Sequence, residues 1–341
     1  MELSVGKVKA KPGEKKSGSL KAIEMPNGSV IQIPFILING VEKGPILYSQ
    51  VAAHGMEING VEVIRRLVTK LEPNDLSGGL ILVPVANTFA FAMKQSVVPE
   101  ILRPGYNMNR VWPGKSDGTI HERMAYVLWE NCIKKANYLI DNHTGGTGML
   151  THVVFMHEDP KARELAINYG CEYIISEKTG REEKEAGTGR ADWEKERFFA
   201  KLRVAAGDEG IPGITPELDG HSRFDENAIT IGLRGFTNVM KYLNMLDNKP
   251  ELPKKQLILE NHLGRTKAKR SGLFRAEIEP GIYVKKGDII GRIYSIWDIF
   301  KEVEVVEAPI DGFCYSIADN PVVYEGDSLA SVLRVIEEIN N

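Results

Sequence analysis

The sequence predicts an α/β domain, a mixed β-sheet flanked by helices, followed by a smaller all-β barrel or sandwich. Two observations carry this reading. From about residue 45, short β-rich runs alternate with stretches of helical periodicity, the pattern of a sheet covered by helices on both faces. After "DNKPELPKK" (247–255), which reads as a linker, the helical periodicity stops and Gly-punctuated strands take over. The chain thus divides into a β-rich N-terminal segment (1–44) packing on the larger domain, that domain (45–247), and a C-terminal β unit (256–341). At 341 residues, 43% of them hydrophobic, it can bury a substantial core.

Taken in order, "PILYSQVAA" (45–53) is rich in strand formers and runs directly into "HGMEINGVEVIRRLVTKL" (54–71). There Ile58, Val61, Ile64, Leu67 and Val68 recur at helical spacing, placing His54 in the turn and Glu57 in the first helical turn. "GLILVPVAN" (79–87) is short enough for a buried strand, and "ERMAYVLWENCIKKA" (122–136) reads as a helix. "NYLIDNHTGG" (137–146) is a strand stopping in a Gly-rich loop; no G-x-x-x-x-G-K-[ST] occurs to make that loop a phosphate cradle. "THVVFM" (151–156) and "CEYIIS" (171–176) are further strands joined by a short helix. The charged stretch 177–197 starts as loop and turns into helix near Ala191, "GIPGITPELDG" (210–220) is extended, and 225–246 is a long helix.

The C-terminal unit contains an internal repeat: "GLFRAEIEPGIYVKKGDIIGRI" (272–293) aligns with "GFCYSIADNPVVYEGDSLASV" (312–332), with Gly287-Asp288 and Gly326-Asp327 at matching turns. This resembles the biotinyl/lipoyl barrel. That family carries its cofactor on a Lys in a central hairpin, usually flanked by Met or acidic residues. Here the hairpin "YSIWDIFKEVEVVEAP" (294–309) has only Lys301 and no Met-Lys-Met, so the unit reads as an accessory module.

Bulk properties exclude several classes. Net charge is −3 and no basic run dominates, which argues against a nucleic-acid partner. No apolar stretch approaches the roughly 20 residues of a membrane helix, and the N-terminus lacks the apolar region of a secretory signal. Cys132, Cys171 and Cys314 are far apart and unpaired in pattern, as expected of reduced, buried thiols in a cytoplasmic protein. A homo-oligomer is possible simply because dimers are common.

Chemistry concentrates at strand ends. His54 and Glu57, separated by two residues at a strand-to-helix junction, are close enough to share one metal ion, although an H-x-x-E also arises by chance and a Glu suits a helix N-terminus. His143 ends another strand, and Asp141, two residues earlier, points to the same side and could orient its imidazole. Asn109 and Arg110 in "YNMNRVWPG" (106–114) could bind a carboxylate, the arginine through a bidentate fork. Glu217, at the end of "GITPE", could act as general base.

Together "HGME", "NMNRVWPG", "DNHTGG" and "TPELDG" resemble the succinylglutamate desuccinylase/aspartoacylase family of zinc hydrolases, relatives of the zinc carboxypeptidases. The motifs occur in the family's order, and the resemblance covers roughly residues 45–335. It implies a zinc-carboxypeptidase-like fold with one Zn2+ held by His54, Glu57 and His143. Glu217 would be the proton-transfer carboxylate, Asn109 and Arg110 substrate contacts, and Arg103 the nearest candidate to polarise the scissile carbonyl. The family's usual HGNE reads HGME here, at a non-ligand position. His221, four residues after Glu217, is a candidate substrate contact. The implied reaction is hydrolysis of a small N-acyl amino acid or related N-acyl amine. The alternatives are a carboxypeptidase-like peptidase and a non-catalytic metal-binding module.

Overall fold

In a computed structural model, residues 2–97, 107–145, 148–178, 201–219, 222–260, 264–297 and 300–341 are described. The strands are β1 (Leu3–Val5), β2 (Val8–Ala10), β3 (Glu14–Glu24), β4 (Val30–Asn39), β5 (Glu42–Val51), β6 (Ser77–Val83), β7 (Tyr138–Asn142), β8 (His152–Met156), β9 (Tyr173–Glu177) and β10 (Gly213–Glu217). They continue as β11 (Lys255–Glu260), β12 (Arg265–Lys267), β13 (Gly272–Ala276), β14 (Tyr283–Val284), β15 (Ile289–Tyr294), β16 (Glu302–Glu307), β17 (Gly312–Ile317), β18 (Val322–Val323) and β19 (Ser328–Asn340). The helices are α1 (Asn59–Lys70), α2 (Thr88–Ala92), α3 (Ile120–Asn131), α4 (Pro160–Tyr169), α5 (Leu202–Asp208) and α6 (Glu226–Tyr242).

One large mixed sheet runs through the molecule in the order β3-β4-β6-β5-β7-β10-β8-β9-β11-β19-β17-β14. At its centre β6, β5, β7 and β10 are parallel, and β8, antiparallel to β10, reverses the direction. Strand alternation sends Leu47, Val51 and Ile140 to one face and Tyr48 and Leu139 to the other. The first face is covered by α1, α4 and α6 through Val63, Ile64, Leu165 and Phe236. The second is covered by α3, α5 and the β1–β2 hairpin through Met124, Leu128, Leu202, Leu3 and Val5.

Helix starts are fixed by caps legible in the sequence. Thr119 and Glu122 form a reciprocal capping box on α3, Asp159 precedes Pro160 at the first position of α4, and Asp225 accepts the Ala228 N–H to start α6. Several elements are shorter than their apolar runs. The strand in 79–87 ends at Val83, that in 210–220 covers only Gly213–Glu217, and the helix in 122–136 ends at Asn131. The helix expected near Ala191 lies outside the described residues.

β4 pairs with β6, so the N-terminal segment continues the central sheet. At the other end β11 sits between β9 and β19, and β19 carries on into the C-terminal unit. There β16, β15, β13 and β18 form a second antiparallel sheet, and Phe274, Ile290, Ile293, Val306 and Val332 make a separate core. The repeat appears as two equivalent turns. Asp288 accepts the Lys285 N–H and Asp327 the Tyr324 N–H, each at 2.8 Å. Lys301 is exposed on the β15–β16 hairpin beside Trp297 and Phe300. No helix among the described residues is long and apolar enough to cross a membrane.

The α4–α6 packing depends on a missing side chain. A Cβ on Gly235 would lie 2.3–2.6 Å from the fully buried Tyr169 ring. Gly235→Ala should lower stability by roughly 1–3 kcal/mol through overpacking. Urea unfolding would register this as a reduced midpoint with little change in slope.

Candidate active site

The parallel strands β5, β7 and β10 end together: Val51 pairs with Asn142, and just beyond, His143 bridges to Glu217. Three segments far apart in sequence therefore deliver side chains to one sheet edge, the usual location of sites in such sheets. The chain leaving β5 makes a tight turn in which the Glu57 N–H donates to the His54 carbonyl at 3.1 Å. Glu57 thus lies in the turn, two residues before α1, and not in its first turn as the periodicity implied. The turn bends the carboxylate back over His54, which a position on the helix would not do.

His54, Glu57 and His143 form a cluster whose potential ligand atoms all lie within 4.8 Å of one another. His54 Nδ1 is 2.8 Å from Glu57 Oε1, and His143 Nδ1 is 2.8 Å from Glu57 Oε2. That second oxygen also accepts the Thr144 N–H at 3.2 Å. Glu57 and His143 are buried, and His54 is half-buried. Burial alone would raise the pKa of Glu57, but the two imidazoles hold it well below the usual carboxylate range. Burial opposes a charge on His143 as well, yet Asp141 and Glu57 push its pKa well above the ordinary value.

The arrangement fits a metal ion. His143 Nε2 is 3.1 Å from Asp141 Oδ2, and the other Asp141 oxygen accepts from Gln50 Nε2 at 2.9 Å. His143 thus turns its Nδ1 toward the Glu57 carboxylate, while its Nε2 is held between Asp141 Oδ2 and the Asn109 side-chain amide. Two imidazole nitrogens and one carboxylate are also a common zinc donor set, with bonds of about 2 Å that the cluster can span.

Glu217 is the fourth member. Its Oε2 is sealed from solvent and has no hydrogen-bond partner among the described residues. Burial, aided by the nearby Glu57 charge and opposed by His143, His54 and Arg203, pushes its pKa up to about 7. A carboxyl poised near neutrality suits proton transfer. Gly145 makes room for it: its φ is +61°, and a Cβ there would come within 3.3 Å of Glu217 Oε2 and 2.9 Å of Met149 Sδ.

The other expected residues are placed as follows. Asn109 is buried, its Oδ1 accepting the Leu202 N–H at 3.1 Å and its Nδ2 lying 3.1 Å from His143 Nε2. Its amide is thus engaged within the protein, behind the histidine. Half-buried Arg110 donates from Nη1 to the Asn109 carbonyl at 2.6 Å. Arg103 and His221 lie outside the described residues.

Three participants have no motif. Arg203, on α5, is buried beneath the helix, donates to Thr215 Oγ1 at 3.2 Å, pairs with Glu177, and acts electrostatically on Asp141 and Glu217. An arginine inside the apolar run "LRVAA" was its only signal. His152 sits opposite Glu217 across β8 and β10; burial brings its pKa down to about 4, and its Nδ1–H donates to the Leu150 carbonyl at 2.7 Å. Tyr315, from the C-terminal unit, packs edge-on against His152 with ring centroids 5.0 Å apart. A cavity of about 360 Å³ beside Met156, Lys161, Val204 and Pro212 lies at the opposite sheet edge and shares no residue with the cluster.

The raised pKa has a stability consequence. A carboxyl at about 4.5 when unfolded and about 7 when folded binds its proton more tightly in the native state. Stability therefore falls as pH rises from 4.5 to 7 and levels off above. In metal-free protein, Glu217→Gln should remove this cost, on the order of 1–3 kcal/mol. Its gain in melting temperature should be absent at pH 4 and largest at pH 8, as followed by circular dichroism.

The comparisons agree with this geometry. Residues 43–243 match the model of the succinylglutamate desuccinylase/aspartoacylase catalytic domain. An N-alpha-acetyl-L-2,4-diaminobutyric acid deacetylase from Halomonas elongata is 23% identical over 319 residues, covering 91% of this chain and 87% of the relative. Among solved structures, a succinylglutamate desuccinylase/aspartoacylase from Rhodobacter sphaeroides superposes with a TM-score of 0.80 at 22% identity, over 95% of this chain and 97% of that one. The product-bound ectoine utilization protein EutE (DoeB) from Ruegeria pomeroyi gives 0.81 at 22% identity, over 95% and 96%. With more than half its length matched by the family's catalytic domain, the chain belongs to the succinylglutamate desuccinylase/aspartoacylase family.

Proposed function

We propose that this chain is a zinc-dependent deacylase that hydrolyses the amide bond of a small N-acyl amino acid or a related N-acyl amine. The observation that carries the proposal is the convergence of His54, Glu57 and His143 beside a half-buried carboxyl, Glu217, whose pKa is pushed up to about 7. The Halomonas relative, a deacetylase by name, supports an amide substrate.

His54 and His143 through their Nδ1 atoms, with the Glu57 carboxylate, would hold the zinc ion. When bound, such an ion supplies Lewis acidity, acidifying water and polarising a carbonyl. Glu217 takes the proton of the attacking water on its carboxylate as the water adds to the scissile carbon. It then delivers that proton to the leaving amine nitrogen. Asp141 holds the His143 ring so that Nδ1 faces the site. Arg203 keeps the ionised form of Glu217 accessible. Arg110, with Asn109 behind it, is the proposed holder of a substrate carboxylate, with His221 as a further contact and Arg103 polarising the carbonyl. Residues 45–247 form the catalytic unit in this reading, and 256–341 an accessory β unit beside it.

Purified protein should contain close to one zinc per chain. Mass-spectrometric screening of N-acyl amino acids, N-acyl diamino acids and peptides should show turnover confined to the acyl derivatives and lost on chelation. Release of amino acids from peptides instead would make the enzyme carboxypeptidase-like. No bound zinc and no activation by added zinc would remove the mechanism altogether. Glu217→Ala should keep its zinc and lose about 10²- to 10⁴-fold in kcat; an active variant would take the proton-transfer role away from Glu217.

A further inference from the structure

The two imidazoles of the cluster are backed by different groups. His143 leans on a carboxylate, Asp141, whereas His54 Nε2 is 3.1 Å from the amide oxygen of Asn107. An amide can present either its oxygen or its nitrogen, and here the backbone decides which. The same Oδ1 accepts the N–H of Asn109 at 2.9 Å, and a backbone N–H only donates. The atom facing His54 is therefore oxygen, and an oxygen acceptor requires the proton on Nε2. In the neutral ring His54 Nδ1, 2.8 Å from Glu57 Oε1, is then the nitrogen that keeps its lone pair for a metal.

We infer that Asn107 is a positioning residue that fixes His54 in the tautomer and ring orientation needed for metal binding, as the counterpart of Asp141 behind His143. The inference rests on the metal-binding reading of the cluster. Asn107 stands 53 residues from His54 and also caps the turn Met108–Arg110, so one side-chain oxygen ties that turn to the first ligand. Because an amide is a weaker acceptor than a carboxylate, the His54 arm is the less strongly polarised of the two.

The capping contact and the His54 contact are separable. Asn107→Ser keeps a good N-cap but is too short to reach the imidazole, whereas Asn107→Asp keeps both contacts. Zinc affinity, measured by chelator competition on zinc-free protein, should fall about 10- to 100-fold in N107S and equal or exceed the wild-type value in N107D. Melting temperatures of the metal-free proteins should coincide. In the histidine ¹H–¹⁵N spectrum of the zinc-loaded proteins, the His54 Nε2–H should be protected from exchange in wild type and N107D and exposed in N107S. Wild-type affinity and protection in N107S would reduce Asn107 to a cap and overturn the inference. An N107D variant as weak as N107S would overturn it too. Failure of the wild type itself to take up zinc would instead bring down the metal reading on which it depends.

Discussion

A carboxylate buried between two imidazoles is the constraint on which the site depends. Glu57 is only 7% exposed, and a charge in that setting is tolerated only when positive partners and hydrogen bonds replace the lost water. Both its oxygens meet an imidazole nitrogen, and one also meets a backbone N–H. Each imidazole is in turn held from behind, by Asp141 or Asn107. The negative charge that favours a cation at the cluster also helps burial to push the Glu217 carboxyl up. One arrangement thus gathers donors that could hold a cation and sets beside them a carboxyl pushed up toward neutrality.

The sheet supplies the rigidity. Because β5, β7 and β10 are parallel and in register, their ends are fixed by backbone hydrogen bonds before any site side chain is placed. The loop after His143 is held by the C-terminal unit: the Leu150 N–H donates to the Tyr315 carbonyl at 3.1 Å, and the Ile317 N–H to the Gly148 carbonyl at 2.8 Å. Tyr315 then packs edge-on against His152, next to Glu217 across the sheet. The β unit that looks separate in sequence is joined to the edge that carries the candidate site by these contacts and by the shared strand β19.

What could be read from the sequence followed from local periodicity and chemical grouping. The helix beginning at Asn59 was visible in the spacing of Ile58, Val61, Ile64 and Leu67, and the strand before His143 in its apolar run. Asp141 was expected behind His143 because alternate strand residues share a face, and it lies there. Arg203 and Tyr315 were not legible, because nothing near them in sequence indicates which sheet edge they reach. Asn107 was not singled out, since its partner is 53 residues away.

By itself, the sequence determined the main alternation of strands and helices between about residues 45 and 246, the four motifs and the residue types able to hold a metal and move a proton. It did so because caps, turns and hydrophobic periods act over a few neighbouring residues. Only the tertiary structure decided that Glu57 lies in a turn, that Asn109 is engaged behind a histidine, and which oxygen faces each imidazole ring. Those outcomes depend on strand register and on contacts between segments 50 to 160 residues apart, which no local pattern encodes.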